Sequence, residues 1–172
     1  MTGEAAASRA QQAPDVHHGA DYTGAVYGSL LAASVVAGSG SQGAPEPLVL
    51  VIILLATGLV FWLAHVYAQL FGDRANGILI NGAEIRTVAA REWPIVQAAV
   101  PPAVAAGVAG LVGWSDQTAA WLALLVALVA QLGWAVYAAA KAGVPGWLIA
   151  ASGAVNLVMG LFIVALKVFV SH

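Results

Sequence analysis

The sequence predicts an all-α, polytopic transmembrane bundle of five spans with a cytoplasmic N-terminus. Three observations carry that reading. Of 172 residues, 61% are hydrophobic and 8% charged, with a mean hydropathy of +0.88, whereas soluble domains average about 25% charged residues. The apolar residues fall in long runs, and one of them, 48–71, carries no charge. Short clusters rich in Gly, Pro, Ser and Asn punctuate the runs, as turns between helices require.

Composition also narrows function. A net charge of −2 with no basic run argues against nucleic acid as a partner. The absence of cysteine excludes disulfides, thiolate metal sites and cysteine nucleophiles. Residues 1–21 hold Glu4, Asp15 and Asp21 against Arg9, the wrong sign for a signal-peptide n-region. They are expected to form a disordered cytoplasmic tail, with His17 and His18 solvated in it.

The first span, about 22–38, is short and mildly apolar, near the lower limit of roughly 17–25 residues for a crossing. Gly24, Gly28 and Ala32 recur every fourth position, a small-residue stripe that lets helices approach closely. The alternative is a re-entrant or tilted first helix with four full spans after it. The second span, about 48–71, is the strongest. Residues 83–91 place Ile85, Val88 and Ala89 opposite Glu84 and Arg91, which reads as a short interfacial helix. The third span, about 93–114, opens with Pro94, suited to a first helical turn. It carries Pro101 and Pro102 mid-span, a helix break that removes the amide partners of Gln97 and Ala98 carbonyls. The fourth and fifth spans, about 118–141 and 145–171, are separated by tight connections that make neighbouring helices antiparallel.

Sidedness follows from basic residues in short loops. Arg9, Arg74, Arg86, Arg91 and Lys141 gather on one side, and Lys167 stands on the other. Trp93 and Trp147 would anchor the inner interface and Trp114 and Trp121 the outer one. Lys167 is expected to snorkel to the outer interface, and Arg91 with Glu92 to form interfacial charge at the start of the third span.

Polar groups inside hydrocarbon are costly and face a bundle interior or a wet cavity. At 1.5 Å per residue, Gln97 lies about 6 Å from the inner helix end, Tyr27 about 8 Å, His65 about 9 Å and Trp134 about 10 Å. Trp62 follows at about 14 Å, Gln131 at about 15 Å and Asn156 at about 16 Å. The spacing predicts three inward stripes: Gly58, Trp62, His65 and Gln69; Ala127, Gln131, Trp134 and Ala138; and Ser152, Asn156, Gly160, Ile163 and Lys167. His65 is the natural protonation switch, with an ordinary pKa of about 6.5, or it holds helices together through a carbonyl. No second histidine or carboxylate at membrane depth accompanies it, so neither a metal nor another cofactor is expected, haem being a distant alternative.

The run Phe61-Trp62-Leu63-Ala64-His65-Val66-Tyr67-Ala68 resembles a signature in a group of small bacterial integral membrane proteins. So do Arg91-Glu92-Trp93-Pro94 with Pro101-Pro102, and residues 156–167. The resemblance covers residue 22 to the C-terminus. It implies a bacterial inner-membrane location and brings no activity and no catalytic residue.

No catalytic motif stands in the chain, and a non-enzymatic role is expected. The expectation is a homo-oligomeric channel or transporter for protons or small ions, embedded in lipid. A cytoplasmic-side polar layer of His65, Gln97, Gln131, Asn156, Trp62, Trp134, Tyr27 and Gln69 would line its pathway. The rivals are a non-conducting scaffold or accessory subunit docked on a membrane partner, and a haem or ligand-binding protein.

Overall fold

The computed structural model describes residues 20–39, 43–75 and 81–170. The expected tail up to residue 19, the His17-His18 pair and the Asn76-Gly77 turn lie outside the described residues. Six helices follow in order: α1 (Ala20–Gly38), α2 (Pro47–Ala75), α3 (Gly82–Glu92), α4 (Pro94–Leu111), α5 (Asp116–Lys141) and α6 (Gly146–Val170). Ala20 and Asp21, expected in the tail, are already helical.

Four helical stretches are long and apolar enough to cross a membrane: α2, α3 with α4 as one rod, α5 and α6. The apolar part of α1, Thr23–Gly38, is shorter. A helix forms where the interfacial one was expected, but no loop separates it from the next span. Trp93 keeps helical dihedrals (φ −54°, ψ −31°) between them, and Pro94 removes only the amide at the seam. Pro101 and Pro102 do not break the chain's course either. α4 runs unbroken through both, with Pro102 buried and Pro101 exposed. A rod held on both sides by neighbours tolerates the lost donors.

The ends follow from local chemistry. Asn81 Oδ1 accepts from the Glu84 amide at 2.8 Å and starts α3. Ser115 Oγ accepts from the Thr118 amide at 3.2 Å and starts α5, with Asp116 favourable in the first turn. Gly113 (φ +79°) and Gly143 (φ +65°) follow the ends of α4 and α5, where a left-handed residue closes a helix.

The hub of the bundle is α1. α1 touches every other helix, and Ala25, Gly28, Ser29, Ala32, Ala33, Val36 and Ala37 are all buried. Small residues make that possible. A Cβ on Gly28 would stand 2.8 Å from both Ala98 Cβ and the Ile95 carbonyl of α4. Ser29 satisfies its hydroxyl on its own helix, donating to the Ala25 carbonyl at 2.8 Å. Close backbone approach of this kind supplies the packing attraction that holds helices together where lipid removes the hydrophobic drive.

α2 and α6 form the flanks. α2 lies mainly on α4, and α6 mainly on α5 and α1. Their outward faces are large, apolar and exposed, from Leu48 to Phe71 and from Trp147 to Phe169.

Call the end where α1 begins proximal and the other end distal. The distal half is a dry core of Ala32, Ala33, Val36, Ala37, Leu50, Leu54, Ala103, Ala106, Ala120, Ala123, Leu124, Ala127 and Ile163. The open space lies in the proximal half with Tyr27, His65 and Asn156, while the buried Lys167 stands in the distal half.

Candidate functional site

The space is a cleft of about 810 Å³ between α1 and α6, backed by the C-terminal third of α5. It exists because α6 meets α1 at one end only. At the distal end Gly160, Ile163 and Lys167 are buried. At the proximal end Ser152 and Asn156 are half-buried, and Val155 and Met159 are exposed. The helices therefore diverge as a wedge, with its closed tip at mid-bundle and its mouth at the proximal end.

Lys167 closes the distal end, and this corrects the expected snorkelling. Its side chain is 2% exposed. Nζ donates to the Val36 carbonyl at 3.2 Å and lies 5.5 Å from the centroid of the Trp121 ring. Val36 belongs to the last turn of α1, whose carbonyls lack helical amide partners. Ser39 Oγ also donates to that carbonyl, at 3.1 Å. A cation at a helix C-terminus is favourable, and an indole face adds to it. The interior of the protein thus gives the amine one carbonyl acceptor and one ring face.

Thr23, Tyr27, Lys141, Ser152 and Asn156 are the polar residues that line the cleft, and Val26, Leu30, Ala135, Val155 and Met159 are among its apolar walls. Lys141 stands at the mouth, with Nζ 5.8 Å from the Tyr137 ring centroid. Asn156 donates from Nδ2 to the Ser152 carbonyl at 3.0 Å and accepts at Oδ1 from Gln131 Nε2 at 3.3 Å. Gln131 is 1% exposed, and its Oε1 is buried without a hydrogen-bond partner.

The expected polar layer divides into separate contacts. His65 Nδ1 lies 3.0 Å from the Phe61 carbonyl of its own helix. A carbonyl only accepts, so Nδ1 carries the proton. The imidazole packs on the Tyr27 ring, 5.1 Å between centroids, and Tyr27 in turn lines the cleft. Trp62 donates from Nε1 to the Ala89 carbonyl at 2.9 Å and meets Trp93 edge-on at 5.5 Å, which pins α3 to α2. Gln97 and Gln69 are exposed and join neither contact. Trp134 also turns outward, 37% exposed, with Tyr137 edge-on at 6.2 Å. The buried stripe of α5 runs through Ala127, Gln131 and Ala135 instead. Of the three predicted stripes, only that of α6 turns inward along its length, half-buried at Ser152 and Asn156 and fully buried beyond. Arg91 Nε and Glu92 Oε1 pair at 3.6 Å.

Sequence reasoning left out Thr23 and Lys141 as cleft residues. A signal for the cleft was present. Thr23 and Tyr27 on α1, and Ser152 and Asn156 on α6, are polar pairs four apart, each on one helix face.

The fold defines a multi-pass helical membrane protein. No family model, curated protein or solved structure matches the chain.

Proposed function

We propose that the protein crosses the membrane five times with its N-terminus in the cytoplasm, and that it binds and carries a small amphipathic molecule in the cleft between α1 and α6. The single observation behind the reading is the one-ended wedge: space and polar groups in the proximal half, a dry alanine-rich core in the distal half. A volume of about 810 Å³ falls among ligand pockets of roughly 300–1,000 Å³, which are mostly apolar with a few placed polar groups. A cleft open at one face and shut at the other is one state of an alternating carrier. An ion channel through a single chain needs polar groups along its whole length, and the distal core is built of Ala, Val, Leu and Ile with Lys167 as its one buried charged side chain among the described residues. The reading of five crossings is supported by the central position of α1, which touches every other helix. Sidedness rests on Arg74, Arg86, Arg91 and Lys141 at the proximal end.

Thiol labelling tests this without knowledge of the ligand, because the chain has no cysteine. Ser152→Cys should react with a membrane-impermeant maleimide faster in inverted vesicles than in right-side-out vesicles, because the inward-open state is the resting one. Ala127→Cys, in the dry core, should react in neither. Labelling of Ser152→Cys as fast or faster from the outer face, or from neither face, would overturn the proposal.

A further inference from the structure

We infer that the occupant of the cleft is an anionic glycerophospholipid of the cytoplasmic leaflet, its acidic headgroup at Lys141 and one acyl chain between α1 and α6. This rests on the cleft reading above and names the ligand class. Charge is the first argument. Among the described residues Lys141 is the one charged side chain on the cleft wall, with no carboxylate beside it, and it stands at the mouth, where a headgroup would sit. Depth is the second. From Gly146, the first residue of α6, Met159 lies about 20 Å along the axis. A leaflet with its interfacial region is also about 20–22 Å deep. Along the wall Lys141 stands outermost, then the hydroxyls of Thr23 and Ser152, then Val26, Leu30, Val155 and Met159, with Tyr27 and Asn156 set among these apolar residues. The gap between two membrane-depth helices also opens on the flank of the bundle, where lipid arrives without crossing water.

Native mass spectrometry of the full chain, released from detergent in an equimolar mixture of phosphatidylglycerol and phosphatidylcholine, tests the assignment. One phosphatidylglycerol should be retained with about five-fold preference, the factor that one half-exposed ion pair supplies. Lys141→Gln should erase the preference while retaining a lipid. Met159→Trp, at an exposed position that tolerates bulk, should fill the wedge and release the lipid. Equal retention of both lipids by the wild type, with release in Met159→Trp, overturns the headgroup assignment and leaves the cleft reading standing. Retention unchanged in Met159→Trp overturns the assignment, because the lipid then sits elsewhere. A mass corresponding to two chains, with no lipid, overturns it in favour of a second copy as occupant.

Discussion

Lys167 donates from Nζ to the carbonyl of Val36, 3.2 Å away and 131 positions distant in sequence. The bond joins the last helix of the bundle to the first at the distal end. Because α6 is fastened there and not at its other end, the proximal halves of α1 and α6 can stand apart. The contact is one of those that close the cleft at its distal end, while Gln131 holds Asn156 and keeps α6 on α5.

Removing the amine should therefore loosen the distal end. Lys167→Ala leaves the Val36 carbonyl with only Ser39 Oγ, and it empties a buried site beside Trp121. A loss of about 1–3 kcal/mol is expected for such a change, read as a lower Tm in detergent. Lys167→Met keeps the stem and should lose less than the alanine variant. A Tm equal to wild type in Lys167→Ala would show that the contact contributes nothing.

The hub gives a paired prediction. A Cβ at Gly28 meets Ala98 Cβ and the Ile95 carbonyl, both at 2.8 Å, whereas at Gly24 the nearest atom is Ile95 Cγ1 at 3.5 Å. The first is overpacking against backbone and the second an ordinary contact. Gly28→Ala should cost about 1–3 kcal/mol, and Gly24→Ala should be neutral or slightly stabilising through helix propensity. Equal unfolding midpoints for the two variants would contradict the close α1–α4 approach.

Much of the fold was legible because charge-free runs and turn residues are read one segment at a time. α2, α5 and α6 needed nothing more. The place of α1 was legible only in part. Its Gly24, Gly28 and Ala32 stripe marked a close-packing face, but its apolar residues are spread evenly around the helix, so nothing in the sequence said that all the other helices gather on it. The α5 stripe failed for a related reason. Trp134 and Ala135 are neighbours one step apart, and period alone does not say whether a row continues by three or by four. The alanine is the one that fits against α1. Lys167 was misread because snorkelling assumes that the nearest polar partner is water, while here it is a carbonyl of another helix.

His65 has a role that the same geometry limits. Its hydrogen bond is to the Phe61 carbonyl of its own helix, and its ring contact is to Tyr27. His65→Phe keeps the ring and loses only a local bond, so stability should change by less than about 1 kcal/mol. Ser152→Cys labelling should be unaltered in that background. A proton flux in proteoliposomes that His65→Phe abolishes would restore the ion-pathway reading.

The most direct measurement is an experimental structure of the protein in a lipid nanodisc. The account predicts that Lys167 stays on the Val36 carbonyl while Val26 and Leu30 remain separated from Val155 and Met159 by space filled with non-protein density. A structure in which α1 and α6 touch along their whole length, with Val26 packed on Met159, would contradict it.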